Sequence, residues 1–163
     1  MAGQRALRRR CRRIAAAVPM PVPFDQDRFL AGLSAQRSRP VEVLPVKAGT
    51  DVPCGLMVST DAADYIFVPA NTTALHRQHI VFHEVAHLLC RHIGAPTLPV
   101  AALPGLAKGL GVGESGHRGY TDLHEREAEL VATFLTQRAT HLPGPGYVAE
   151  LQGLDEAFGE GRR

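Results

Sequence analysis

Apolar residues run along the chain in short blocks separated by proline, glycine and polar clusters. Residues 3–18 can form a helix with Leu7 and Ile14 as its few large apolar residues, ended by Pro19, Pro21 and Pro23. Asp25 can cap a second helix over 26–37, whose stripe is Phe29, Leu30 and Leu33, and Pro40 closes it. Three β-like runs follow, Val41–Leu44, Gly55–Val58 and Asp64–Val68, spaced by turn-rich stretches, and predict a small sheet. Asn71, Thr72 and Thr73 offer caps for a third helix that should reach about His92 and stop at Gly94 and Pro96. Residues 97–120 hold eight of the proline and glycine positions that break regular structure, so a long flexible loop is expected there. Thr121 or Asp122 then caps a fourth helix to about Thr140, with Leu130, Val131, Phe134 and Leu135 apolar. A short amphipathic piece, Tyr147 to Phe158, ends the pattern. The organisation expected is a basic N-terminal helix or arm over 1–23 and a single α+β domain over 24–160.

Composition narrows the class. With 163 residues, 45% hydrophobic and 21% charged, the chain is globular rather than disordered. No Trp and 6% aromatics require a core built mainly of Ala, Leu and Val. The net charge of +2 conceals an asymmetry: six Arg lie at 5, 8, 9, 10, 12 and 13, leaving 12 basic residues against 16 acidic ones. Only the N-terminus is strongly cationic. Without interleaved aromatics or a recognisable DNA-binding fold, Arg5–Arg13 is expected as a solvated helix face rather than a nucleic-acid contact. No run approaches the length of a membrane span or a secretory core, so a cytoplasmic protein is expected. Cys11, Cys54 and Cys90 are too few and too scattered for a disulfide framework.

All eight histidines fall between 76 and 141, and among them stands His83-Glu84-Val85-Ala86-His87. Four residues are slightly more than one helical turn, so His83 and His87 project from one face and can chelate one Zn²⁺. Glu84 is rotated by about 100° from His83, too far to be an equivalent ligand. It is placed instead to take the proton of a water on the open side of the metal. Ile80, Val81, Phe82, Val85, Leu88 and Leu89 make this a buried helix, where unpaired imidazoles and a carboxylate are costly. Downstream, Glu125 and Glu129 are again four apart, with Ala128 and Ala132 small enough to let the two helices approach. Glu125 is assigned as the third ligand, with His124 and Asp122 as rivals. Glu129 is assigned as acceptor for the far N–H of a ligand histidine, His83. Glu127 is expected as a solvated surface carboxylate.

These residues resemble the ImmA/IrrE family of metallopeptidases over Tyr65 to Pro143. The matching elements are the strand Tyr65–Val68, the helix Arg77–His87 and the helix Glu125–Ala132. The family's second motif is similar to Glu-x-x-Ala-Asn/Asp with the Glu as third ligand; here Glu129 stands at the Asn/Asp position, and Ala86 replaces the usual Gly before the second His. The resemblance implies a zincin-type helical core carrying a small sheet. It further implies a cytoplasmic zinc endopeptidase acting on a helix-turn-helix repressor or an antitoxin, in transcriptional regulation or toxin–antitoxin modules. The alternative is a catalytically silent zinc-containing module that binds a transcriptional regulator; the intact Glu84 favours catalysis.

The remaining expectations concern the surroundings of the site. His117, Arg118 and Tyr120 are candidates to help the oxyanion, with Tyr120 preferred. Tyr65–Val68 is expected as the sheet edge on which an extended peptide lies, and the glycines between 105 and 119 as the hinge of a cover over the cleft. His79 is expected as a partly buried, satisfied histidine; His76, His92 and His141 at helix ends or on the surface; Cys54 as a small buried residue; and Cys90 in the core.

Overall fold

The computed structural model describes residues 2–47, 55–92 and 120–141. The expected loop over 97–119, the piece Tyr147–Phe158, and Cys54, His117 and Arg118 lie outside the described residues. Within them the architecture is α+β, with four helices and one three-stranded mixed sheet. The elements in chain order are α1 (Ala2–Ala17), α2 (Gln26–Arg37), β1 (Val41–Val46), β2 (Leu56–Ser59), β3 (Asp64–Pro69), α3 (Ala74–Cys90) and α4 (Asp122–His141).

Local chemistry sets the helix ends. Asp25 caps α2, its side chain accepting from the Arg28 N–H at 2.8 Å. Thr73 does the same for α3 through the His76 N–H, and the Thr121 hydroxyl accepts from the His124 N–H at the start of α4. α3 stops at Cys90, short of the glycine expected to end it. Arg91 adopts a left-handed backbone (φ 55°), and the N–H groups of Arg91 and His92 return to the carbonyls of Leu88 and His87. Such a pair of bonds closes a helix without glycine.

The sheet order is β1-β3-β2, with β1 parallel and β2 antiparallel to β3. This corrects one expectation. Tyr65–Val68 lies in the central strand, bonded on both sides, so it offers no edge. The reason is visible in its burial: Ile66, Phe67 and Val68 are all buried, as suits a central strand. The edges of the described sheet are β1, which accommodates Pro45 there, and β2. Asp64 ties the sheet to its surroundings, paired with Arg37 Nη2 at 2.9 Å and Arg39 Nε at 3.1 Å and accepting from Ser59 Oγ at 2.6 Å.

The core joins every helix. Phe29 and Phe82 meet edge to face at 5.3 Å between ring centres, with Phe24 against both. α3 packs on α4, where Ala128, Val131, Ala132 and Leu135 are buried. α1, expected as a basic helix or arm, buries Cys11 and Ala15 in this same core, joined by Val18 just past its end. The carbonyls of Ala15 in its last turn and of Val18 just past its end accept from the Arg138 guanidinium of α4. Its opposite face is exposed at Arg5, Arg9 and Arg13, while Arg8 and Arg12 lie over the Phe134 ring.

Candidate metal centre

The helical spacing of α3 puts His83 and His87 side by side, with Nε2 atoms 3.1 Å apart. α4 brings Glu125 to them from the first turn of the facing helix. One carboxylate oxygen lies 3.3 Å from His83 Nε2 and the other 3.8 Å from His87 Nε2. Of the three residues considered for this place, Glu125 is the one in the cluster of donors. His124 instead stacks on His92 at 4.3 Å, and Asp122 is exposed. A tetrahedral zinc with bonds of about 2.0–2.1 Å has donor–donor edges of roughly 3.3–3.4 Å. The His83–His87 and His83–Glu125 separations are close to that edge, and the His87–Glu125 separation, made by the other carboxylate oxygen, is longer at 3.8 Å. Two imidazoles and one carboxylate are also a donor set that leaves a fourth position open, so the residues present fit zinc.

Glu129 lies one turn beyond Glu125, with its Oε2 at 3.5 Å from His83 Nδ1 and 3.6 Å from His79 Nε2. It therefore faces the ring nitrogen of His83 that points away from His87. His79 is nearly half exposed, and His76 sits at the start of α3 with Nδ1 2.9 Å from the Thr72 hydroxyl.

Glu84 is buried, at 7% exposure. Burial, reinforced by the Glu125 carboxylate, pushes its pKa up to about 7. Gly55, immediately before β2, is its close neighbour: a Cβ there would stand 2.8 Å from Glu84 Oε1 and 2.5 Å from Ile80 Cγ2. Only glycine lets this backbone approach so closely. Tyr120 stacks on the His87 ring with 3.7 Å between centres and 17° between planes. Burial, then Glu84 and Glu125, pushes its phenol up to about 12, so the O–H is retained as a donor. His87 is 1% exposed; burial first, and then His83, His92 and His124, pushes its pKa down to about 3, so the ring is neutral.

Comparison with family models, with curated proteins and with solved structures gives no match. The reading of the centre rests on its own geometry and on the resemblance in sequence.

One residue beside the centre departs from expectation, and a second is more enclosed than its place at a helix end suggests. Glu127 is buried at 5% exposure rather than solvated. It is ion-paired with Arg10 of α1 and lies 3.0 Å from His92 Nε2. The cause is tertiary: α1 crosses α4 on the face that carries Glu127, and the Cys11 thiol also reaches the Glu127 carbonyl. His92 follows the end of α3 as expected, yet its side chain is only 3% exposed, because the left-handed turn at Arg91 folds its ring back until its Nδ1 is 3.0 Å from His87 Nδ1. Cys90, His92 and Glu127 also lie near one another. Burial, then Glu127 and Cys11, pushes the Cys90 thiol up to about 11, and Arg10 already answers the carboxylate. Within that cluster, His92 and Glu127 are joined to Arg10 in one hydrogen-bond network.

Proposed function

We propose that the chain is a zinc-dependent endopeptidase of ImmA/IrrE type, cytoplasmic, which cleaves a partner regulatory protein such as a helix-turn-helix repressor or an antitoxin. The observation that carries this reading is the convergence of His83, His87 and Glu125 from two helices beside a buried carboxylate that is not one of the three donors. A purely structural zinc has no use for such a base and prefers four closed protein ligands.

His83, His87 and Glu125 hold the ion. When bound, zinc acidifies water and polarises a carbonyl. Glu84 receives the proton of the attacking water on its carboxylate and returns it to the leaving amine. A buried carboxylate whose pKa lies near neutrality suits both halves of that task. Tyr120, held flat against His87, offers its O–H to the carbonyl oxygen as negative charge develops there. β2 is an edge strand whose approach, at Gly55, touches Glu84, so an extended peptide added along β2 would run past the base. No helix among the described residues is long and apolar enough to cross a membrane.

The test pairs metal content with turnover. Zinc-loaded protein and its Glu84→Gln variant are incubated with helix-turn-helix regulator proteins and with a library of extended peptides, and products are read by mass spectrometry. The variant should keep its zinc and lose cleavage by a factor of about 10² or more. Cleavage by Glu84→Gln at the parental rate contradicts the mechanism. Zinc retention without cleavage by the parent points to the silent regulatory module instead.

A further inference from the structure

The network behind His87 is a chain of four side chains drawn from three helices and the turn after α3. His87 Nδ1 lies 3.0 Å from His92 Nδ1, His92 Nε2 lies 3.0 Å from Glu127 Oε2, and Glu127 Oε1 is paired with Arg10. With Glu127 as a carboxylate and both imidazoles neutral, the hydrogen-bonding capacities of these groups leave one consistent arrangement. A guanidinium only donates, and a carboxylate only accepts, at both of its oxygens. His92 Nε2 must then carry a hydrogen and donate to Glu127. A neutral imidazole carries one hydrogen, so His92 Nδ1 is an acceptor. His87 Nδ1 must donate to it, which leaves the lone pair of His87 on Nε2, the atom that faces His83 and Glu125.

We infer that Arg10, Glu127 and His92 form a relay that fixes the tautomer and orientation of His87, and so prepares the metal centre from outside it. This inference rests on the zinc reading for its purpose, while the tautomers themselves exist in the metal-free chain. Glu127 and His92 are positioning residues, since neither is among the three donors. The arrangement also explains why α1 belongs to the site: its Arg10 is the charge paired with a nearly inaccessible carboxylate behind the ligand. His87 is the ligand that most needs this help, because its ring is enclosed by Tyr120, His83 and His92. His83, at its own far nitrogen, has the exposed Glu129 in the same position relative to the ring.

Glu127→Gln gives a prediction that loss of a contact would not. Arg10 accepts nothing, so the amide oxygen turns to Arg10 and the amide N–H₂ group faces His92 Nε2. His92 must then carry its hydrogen on Nδ1, and His87 is forced to carry its own on Nε2, where the metal would bind. Zinc affinity, read by chelator competition, should fall about 10- to 100-fold while the thermal transition of the metal-free protein is kept. Adding Arg10→Met frees the amide to rotate, so the double variant should bind zinc more tightly than Glu127→Gln alone. A merely structural pair would make the double variant no better or worse, and that result would overturn the relay. So would parental affinity in Glu127→Gln. Should the variants fail to fold, ¹⁵N-histidine NMR of the metal-free parent decides the matter. The relay requires hydrogen on His87 Nδ1 and on His92 Nε2; hydrogen on His87 Nε2 refutes it. Failure of the parent to bind zinc at all would strike the proposed function, and these tautomers would still be decided by the NMR experiment.

Discussion

At the scale of single residues, the motif His83-Glu84-x-x-His87 is legible in sequence because its geometry is local. A helix of known pitch suffices to align two imidazoles and to set Glu84 apart from them. The placement of Glu125 needed one further step, the packing of two helices over alanines, and the small side chains at Ala128 and Ala132 signalled it. His92 and Glu127 were not legible in this way. A histidine after a helix and a glutamate amid other charges look like surface residues until the left-handed turn at Arg91 and the crossing of α1 bury them. A signal did exist, since Arg10, His92 and Glu127 have complementary chemistry, but their separation in sequence exceeds 100 residues for the ion pair. Tyr120 supports a prediction at this scale. Phe in its place keeps the stacked ring on His87 and removes the O–H. Tyr120→Phe should therefore retain zinc and lower kcat by roughly 10²-fold with little change in KM, as expected for a donor used only in the transition state. Steady-state kinetics on a cleaved peptide check this, and an unchanged kcat removes Tyr120 from the mechanism.

At the scale of elements, caps and breakers placed the helices closely, and period-2 runs located all three strands. What the runs could not give was their order. Sheet order depends on which strand is buried from both sides, and the three runs are similar in length and composition. Asp64 shows how the order is held: it gathers Arg37 at the end of α2, Arg39, and Ser59 of β2 onto the first residue of the central strand. Burial alone would raise its pKa, but Ser59, Arg37 and Arg39 outweigh it and hold the carboxyl below its ordinary range. The unfolded chain therefore binds the proton more readily than the folded one. The stabilisation is complete above the unfolded pKa of about 4 and is lost as pH falls through the lower folded value. Asp64→Asn should cost on the order of 2 kcal/mol at neutral pH, and the gap from the parent should narrow as both are acidified. Urea unfolding at several pH values measures it, and a gap that stays constant into acid would show that Asp64 is not the group responsible.

At the scale of the molecule, α1 closes one side of α4 while α3 closes the other. The first contact sets Arg10 on Glu127 and the second sets Glu125 between His83 and His87. One helix thus links the N-terminal basic segment to the centre, which a reading of separate regions along the chain would not connect. We propose that this convergence of two helices makes a centre that holds zinc. It is tested most directly by titrating the metal-free protein with zinc against a chromophoric chelator, for the parent, His83→Ala and Glu125→Ala, with each fold verified by circular dichroism. One tightly held zinc per chain is expected in the parent and its loss in both variants, although the substituted residues lie on different helices. A Glu125→Ala protein that holds zinc as tightly as the parent, or a folded parent that holds none, would contradict it.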